Sequence, residues 1–259
     1  MNETIQVING DCRTKLKRLP ESSVRCCITS PPYWAAHSFG ENEEAIGQEK
    51  TPSLFIDNLV DAFRGVYEAL KWGGSLWLNI GDTYSNYAYG RGGWGADYRI
   101  AANHKFDSQL PHRNLIGIPW RLALALQADG WIVRSDIIWH KSKGVMDNAL
   151  GRPRRVHEYV FLLTKGEHYR FNNLGLNTIW EIPKTTGNGS KRLNFAVFPE
   201  KLVERCILSS TNEGDIVLDP FAGTGTVGKV ALRLGRKAIL IESNPDLCCQ
   251  TMFENLTII

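Results

Sequence analysis

Residues 215–242 hold the first group of side chains that could do chemistry. Asp219 stands directly ahead of a turn that contains Gly223 and Gly225, and Glu242 ends an apolar run further on. Glycines let the backbone pass close to a ligand, and an acid at the end of the next strand can accept hydrogen bonds from ribose hydroxyls. This spacing predicts a site for a nucleoside cofactor.

Two cofactors compete for this site. Gly223, Gly225 and Gly228 satisfy the G-x-G-x-x-G fingerprint of dinucleotide-binding proteins. The carboxylate of Asp219 argues against a dinucleotide, because it would repel a pyrophosphate and attract the sulfonium and ammonium groups of S-adenosylmethionine. Only 17 residues follow Glu242, which are too few to complete a dinucleotide fold. We therefore expect S-adenosylmethionine, and an NAD-dependent oxidoreductase is the alternative from another class.

The second group is the run Ser30, Pro31, Pro32, Tyr33 and Trp34. Its two prolines stiffen the loop and remove two backbone donors, so the Ser30 hydroxyl and the loop carbonyls face outward as acceptors. The two aromatic rings add flat surfaces for stacking. This cluster suits a planar base that carries an amino group. The alternative interpretation is a proline-rich turn with two core aromatics.

Strand and helix patterns alternate along the chain. Apolar runs predict strands at residues 5–8, 24–29, 75–80, 131–140, 159–163, 216–218 and 238–241. Apolar residues at three- and four-residue spacing predict helices at residues 51–70, 118–126, 200–208 and 226–234. The alternation is typical of the α/β class, in which ligands bind at the carboxyl ends of parallel strands. Asp11, which follows the first strand, belongs to this edge.

Composition narrows the class of protein. Hydrophobic residues make up 43% of the chain, and no apolar run reaches the length of a membrane span. The start lacks the pattern of a secretory signal, so we expect a cytoplasmic protein without membrane contact, folded as a single domain over residues 1–259. The six cysteines form no C-x-x-C pair, which predicts buried, reduced thiols and no metal site.

Basic residues concentrate in one part of the chain, although the whole chain carries a net charge of only +3. Residues 134–170 hold eight Lys or Arg against four acids. The run Arg152, Arg154 and Arg155 would face DNA phosphates, with a solvated surface turn as the alternative. Residues 84–113 are rich in glycine and aromatics and lack periodicity, so this segment either contacts DNA, with Arg91, or is a solvated mobile loop.

Taken together, these residues resemble the S-adenosylmethionine-dependent amino DNA methyltransferases of the β order, in which the catalytic motif precedes the cofactor loop. The most specific matches are T-S-P-P-Y-W at residues 29–34 and D-P-F-A-G-T-G-T at residues 219–226, with F-P-E-K-L at residues 198–202. The resemblance covers nearly the whole chain. It implies a Rossmann-like, seven-stranded methyltransferase sheet, circularly permuted, with helices on both faces.

The resemblance also implies roles for single residues. Asp11 would meet the adenine amino group and Glu242 the ribose hydroxyls. The other expected cofactor residues are Thr29, Phe198, Asp219, Phe221, Gly223, Gly225 and Thr226. The expected catalytic residues are Ser30, Pro31, Pro32 and Tyr33. DNA contacts are expected from Trp34, His37, Arg91, Lys141, Arg152, Arg154 and Arg155, partly within a small target-recognition region at residues 141–194.

In this family, S-P-P-Y more often accompanies N4-cytosine methylation and D-P-P-Y more often N6-adenine methylation. We therefore expect site-specific methyl transfer to N4 of a flipped cytosine by direct attack, without a cysteine nucleophile. N6-adenine methylation is the nearest alternative, and methylation of RNA or protein and a non-catalytic DNA-binding module are more distant ones. The expected partners are double-stranded DNA, a second copy of the chain and a cognate restriction endonuclease that acts separately.

Overall fold

The computed structural model describes residues 5–35, 45–85, 107–111, 113–142, 151–184 and 199–248. The strands in these ranges are β1 (Ile5–Asn9), β2 (Val24–Thr29), β3 (Leu70–Ile80), β4 (Ile132–His140), β5 (His157–Thr164), β6 (Ile179–Glu181), β7 (Ile216–Asp219) and β8 (Lys237–Glu242). The α-helices are α1 (Cys12–Lys15), α2 (Pro52–Ala69), α3 (Ile118–Ala128), α4 (Glu200–Ser210) and α5 (Thr226–Arg233). These bounds agree with the predicted elements to within a few residues, except that β3 begins earlier and that α1 and β6 are not among the predicted elements.

All of these strands join one sheet in the order β1-β8-β7-β2-β3-β5-β4-β6. Neighbouring strands from β1 to β3 are parallel, whereas β5 runs antiparallel to both β3 and β4. The α/β class is therefore confirmed, and the sheet has one strand more than the expected seven. The additional strand is β6, which pairs with β4 through only three residues. A segment this short shows no clear periodicity in the sequence.

The first strand of the chain lies beside β8. Ile5 pairs with Ala238 and Asn9 with Glu242 in a parallel register. The Gly10 amide donates to the Glu242 carbonyl at 2.9 Å. Because β1 completes the sheet next to β8, the order of strands in the sheet differs from their order in the chain, as a circularly permuted methyltransferase sheet requires.

Helices cover both faces of the sheet. Phe55 and Phe63 of α2 and Leu122 of α3 are fully buried in the core on one face. Val203 of α4 and Val230 of α5 are fully buried on the other face. The cysteines within the described ranges are buried free thiols, as expected. None of the helices in those ranges is long and apolar enough to cross a membrane.

The helix that follows the cofactor loop shows how glycines position the site. Gly225 precedes α5 with a φ of 79°, a left-handed conformation that favours glycine. Gly228 lies inside α5 and faces β8, where an added Cβ would come within 2.7 Å of Leu240 Cδ1. The third glycine of the G-x-G-x-x-G pattern therefore serves the packing of helix on sheet.

Candidate active site

The carboxyl ends of five neighbouring strands bring the two predicted groups of residues to one edge of the sheet. Strand β7 ends at Asp219 and β8 at Glu242, while β1 ends shortly before Asp11. Next to β7, strand β2 ends immediately before Ser30, and β3 ends immediately before Gly81. Asp11, Asp219 and Glu242, which we call the cofactor half of the site, thus lie along one continuous edge with the loop that begins at Ser30. An α/β sheet binds its ligands at this edge.

A buried hydrogen bond joins the two halves. Thr29 Oγ1 donates to Oδ1 of Asp219 at 2.6 Å, and the Phe221 amide donates to the same oxygen at 3.1 Å. Asp219 is 1% exposed, and among the described residues its Oδ2 atom has no hydrogen-bond partner. Burial raises the pKa of Asp219 to about 7, although the two hydrogen bonds oppose this shift. A buried carboxylate oxygen without a partner marks the place of a ligand that donates N–H bonds or carries positive charge.

Glu242 is bonded to the glycine turn. Its Oε2 atom accepts from the Gly223 amide at 2.7 Å, and its Oε1 atom accepts from the Asn244 amide at 2.8 Å. Burial raises the pKa of Glu242 above its ordinary value. Gly223 has a φ of 53°, and no atom of the described residues lies within 4 Å of the place that an added Cβ would take. The backbone and the side chain of Ser243 also form hydrogen bonds with the Glu242 carboxylate, and these bonds oppose the rise in its pKa.

Three further residues were expected to bind the cofactor: Phe221 and Thr226 lie next to the glycine turn, and Asp11 is paired with Arg13. Phe221 packs edge-on against Phe63, with ring centroids 6.5 Å apart, and Thr226 is the first residue of α5. Asp11 caps α1, and the Arg13 guanidinium binds both of its carboxylate oxygens, with Nη2 2.5 Å from Oδ2. The Arg13 bonds hold the pKa of Asp11 below its ordinary value. An adenine amino group would have to use the lone pairs that this ion pair leaves.

The Tyr33 side chain is held between β3 and β5. Its hydroxyl donates to Oε2 of Glu158 at 2.8 Å and lies 3.4 Å from Oδ1 of Asn79. Its ring lies against Gly81, where an added Cβ would come within 2.6 Å of Tyr33 Cε2. Burial and the Glu158 carboxylate raise the pKa of Tyr33 well above its ordinary value, so Tyr33 stays a neutral phenol.

Glu158 was not among the predicted site residues. It lies near the start of β5 and accepts a hydrogen bond from Lys141 as well as from Tyr33. The Lys141 ammonium also lies 4.5 Å from the centroid of the Trp139 ring. The Lys141 and Glu158 side chains are 17% and 13% exposed, so this ion pair is largely shielded from water. In the sequence, Glu158 belongs to a stretch with Arg152, Pro153 and His157 that resembles the N4-cytosine members of the family, but no role follows from that stretch, because only the antiparallel pairing of β5 with β3 brings Glu158 to Tyr33.

Trp34 does not offer the DNA-binding surface that its place in the S-P-P-Y-W run predicts. It is 4% exposed, and its indole N–H donates to the Glu49 carbonyl at 2.8 Å. The ring is part of the hydrophobic core, and its polar atom has a partner inside the protein. Of the two neighbouring aromatics, the loop presents Tyr33 to the site and buries Trp34.

The basic run lies beside the described start of the segment at residues 84–113. The Arg152 guanidinium lies 4.0 Å from the centroid of the Tyr84 ring, and that of Arg155 lies 6.0 Å from it. Arg154 is exposed. Two of the three arginines therefore pack on an aromatic ring, and the exposed one faces solvent.

Several residues that were expected in the site lie outside the described ranges of the chain. Phe198, His37 and Arg91 lie there, as do large parts of the regions at residues 84–113 and 141–194. Pro31 and Pro32 do lie within the described loop, where Pro31 is buried and Pro32 half-buried.

Comparisons with known proteins agree with this geometry. A family model described as DNA methylase, N6_N4_Mtase, matches residues 24–253. The type II methyltransferase M.Cfr9I of Citrobacter freundii is 40% identical over 258 residues, which cover 93% of this chain and 84% of that protein. TTHA0409 of Thermus thermophilus, solved as a complex with S-adenosyl-L-methionine, is 25% identical, with a TM-score of 0.69 over 99% of this chain and 98% of that one. The cytosine-N4-specific PvuII DNA methyltransferase shares the fold at 22% identity, with a TM-score of 0.76 over 98% of this chain and 87% of that one.

The residues at the sheet edge also fit the methyl donor. Within the described part of the chain, the Oδ2 atom of Asp219 has no hydrogen-bond partner and suits an ammonium group, while the Glu242 carboxylate beside the Gly223 turn suits ribose hydroxyls. The family match includes all three residues together with the Ser30 loop. The chain therefore belongs to the N6/N4 family of DNA methylases and uses S-adenosylmethionine as its cofactor.

Proposed function

We propose that this enzyme methylates the N4 amino group of cytosine at a specific site in DNA. The observation that carries the proposal is the uncharged Ser30 at the first position of the S-P-P-Y loop, directly after the residue that bonds to Asp219. In the family that this motif resembles, serine at this position more often accompanies cytosine than adenine as the substrate base.

The cofactor would lie along the edge formed by β7 and β8. Asp219 would accept from the ammonium group through its Oδ2 atom, and Glu242 would accept from the ribose hydroxyls. Asp11 would meet the adenine amino group while staying paired with Arg13. When bound, S-adenosylmethionine supplies an electrophilic methyl group.

The target base would lie against the loop that begins at Ser30. An exocyclic amine is a poor nucleophile because its lone pair is delocalised into the ring. The Ser30 hydroxyl and the Pro31 carbonyl would accept its N–H bonds and so localise that lone pair on nitrogen. Stacking on the Tyr33 ring would recover about 1–3 kcal/mol of the cost of flipping the base out of the duplex. Positioning of the reacting atoms would supply most of the rate enhancement.

Duplex DNA would be held by the basic part of the chain. Arg154 is exposed and would face a phosphate, whereas Arg152 and Arg155 would order the start of the 84–113 segment through Tyr84. That segment and residues 141–194 would together read the target sequence, within a single domain that spans residues 1–259. The type II name of M.Cfr9I supports a cognate endonuclease that acts separately. A second copy of the chain is proposed from the family resemblance alone.

N6-adenine methylation is the second candidate, because the matching family model covers both N6 and N4 methylases. The same acceptors would serve an adenine amine, so the scaffold and cofactor would not change.

Identification of the product tests the proposal. The enzyme is incubated with unmethylated DNA and labelled S-adenosylmethionine, and the DNA is digested to nucleosides that are identified by mass. We expect N4-methylcytosine, and none from an Asp219→Ala control. N6-methyladenine as the product would contradict the proposed base while leaving the family, fold and cofactor intact.

A further inference from the structure

The Tyr33 side chain crosses the end of β3. Its ring packs against the hydrophobic core on the face of the sheet that α2 and α3 cover. Glu158 lies two residues before Val160, which faces the core on the opposite side, so the alternation of β5 places Glu158 on that side too. The Tyr33 hydroxyl reaches it there, 2.8 Å from Oε2. The ring is therefore held at two points, at Gly81 by its edge and at Glu158 by its hydroxyl.

Two acceptors compete for the single proton of the Tyr33 hydroxyl. Oε2 of Glu158 lies 2.8 Å from the phenol oxygen, and Oδ1 of Asn79 lies 3.4 Å from it. A charged carboxylate at the shorter distance is the stronger acceptor. Tyr33 therefore donates to Glu158, and the position of this carboxylate determines where the far end of the ring lies.

Both oxygens of the Glu158 carboxylate have partners. Lys141 donates to Oε1, and Asn79 Nδ2 lies 3.4 Å from Oε2. The same Asn79 amide donates to a backbone carbonyl of β5 at 3.1 Å. The Lys141 ammonium lies over the Trp139 ring, which restricts it in turn. Because this ion pair is largely shielded from water and supported on each side, it holds the carboxylate where it accepts from Tyr33.

We propose that the Lys141–Glu158 pair positions the Tyr33 ring for the flipped target base. This inference rests on the proposed function, in which the base stacks on that ring. Lys141 and Glu158 act through Tyr33, so they are positioning residues and neither touches the base. The basic side chain of Lys141 suggests a contact with DNA, but its contacts with Glu158 and Trp139 assign it to the ring.

The position of the ring matters because one loop carries both the ring and the acceptors for the target amine. Ser30 and Pro31 stand three and two residues before Tyr33. A stacked base takes its plane from the ring, so a ring that turns would move the amine relative to those acceptors. A misplacement of about 1 Å can lower a rate about 100-fold. Loss of the hydroxyl contact leaves the Gly81 contact in place, so we expect a smaller effect.

Removal of the hydrogen bond from either side tests the pair. Glu158→Leu takes away the acceptor, and Tyr33→Phe keeps the ring but takes away the donor. We expect each variant to lower the single-turnover rate of methyl transfer about tenfold, with cofactor affinity within about twofold of wild type. The double variant should be no slower than the slower single variant, because both substitutions remove one bond. The matched control is Glu167→Leu, at an exposed glutamate outside the site, which should keep the wild-type rate.

Glu158→Gln distinguishes positioning from a purely structural role. Glutamine gives up the charge but keeps a side-chain amide that can hydrogen-bond to Tyr33, so its rate should stay within about threefold of wild type. A rate in Glu158→Gln as low as that in Glu158→Leu would overturn the inference. Wild-type activity in Tyr33→Phe, additive losses in the double variant, or a parallel loss of cofactor affinity would each overturn it as well.

Lys141→Gln distinguishes positioning of the ring from a contact with DNA. It should lower the rate severalfold, because one support of Glu158 is lost. The slope of log DNA affinity against log salt should stay at its wild-type value, whereas loss of a phosphate contact would reduce it by about 1. An unchanged rate or a reduced slope would overturn the assignment of Lys141 to the ring.

The two proposals fail separately. The nucleoside that the wild-type enzyme methylates decides between cytosine and adenine. The rates of the Glu158, Tyr33 and Lys141 variants relative to wild type decide the role of the pair with either base.

Discussion

Thr29 and Asp219 are 190 residues apart in the chain, yet their side chains share a hydrogen bond of 2.6 Å inside the core. They meet because β2 and β7 are parallel neighbours, with Cys27 paired to Leu218. The bond links the carboxylate of the cofactor half to the residue that immediately precedes Ser30. A change in the ionisation of Asp219 therefore alters a hydrogen bond of Thr29, the residue immediately before the S-P-P-Y loop.

Cofactor affinity should fall as the pH drops through about 7, where Asp219 titrates. A cationic group binds the ionised carboxylate, which predominates above this pKa and is lost below it. We expect binding at pH 6 to be about tenfold weaker than at pH 8, as the ionised fraction dictates. Titration calorimetry on wild type and Asp219→Asn isolates the contribution of this group, and identical profiles in the two proteins would contradict the prediction.

Removing the Thr29 hydroxyl should shift that profile. Thr29→Val keeps the shape of the side chain but takes away a hydrogen bond that favours the charged form of Asp219. We expect the midpoint of cofactor binding to move to higher pH and the free energy of unfolding to fall by about 1–3 kcal/mol. Urea denaturation and calorimetry measure both effects. Thr29→Ser should restore them, and failure to do so would show that packing matters more than the hydroxyl.

A methyl group at Gly81 should displace the Tyr33 ring. An added Cβ would lie 2.6 Å from Tyr33 Cε2, which is closer than carbon atoms approach without movement. We expect Gly81→Ala to lower methyl transfer at least about tenfold, since a misplaced base loses its alignment. Cofactor affinity should be unchanged. Adding Gly81→Ala to Tyr33→Ala should cost nothing further, and additive losses would argue against this contact as the cause.

The exposed Arg154 should contribute to DNA affinity in proportion to the counterions that it displaces. Arg154→Ala should weaken binding equally for cognate and unrelated duplexes and reduce the slope of log affinity against log salt by about 1. Fluorescence anisotropy over a range of salt concentrations measures this slope. The matched control is Lys201→Ala, an exposed lysine on α4, for which the slope should not change. Equal slopes for wild type and Arg154→Ala would place the phosphate contacts elsewhere.

The cofactor half could be predicted because its signals are local. One turn, one helix and one strand separate Asp219 from Glu242, and the positive φ of Gly223 in that turn favours glycine. The strands and helices followed from periodicity for the same reason. A strand of three residues such as β6 offers no periodicity, so it was missed.

The roles of the residues around the target base could not be predicted without the three-dimensional fold. Tyr33 and Trp34 are adjacent aromatics, and only the three-dimensional path of the loop decides that one meets Glu158 while the other enters the core. Lys141 was expected at DNA because lysine is basic, but its partner Glu158 comes to it across the β4–β5 pairing. Pairing between distant segments leaves no trace at either residue alone.

The placement of β1 beside β8 also orders events in time. In the described part of the sheet, β8 is the only strand neighbour of β1, and 233 residues separate Asn9 from Glu242, whose carbonyl it binds. A ribosome releases β1 long before its partner exists, so the early strand must wait unpaired while the rest is synthesised. The sheet edge that carries Asp11 and Glu242 is therefore complete only after β8 has been synthesised. An incomplete nascent chain lacks the assembled site for the methyl donor.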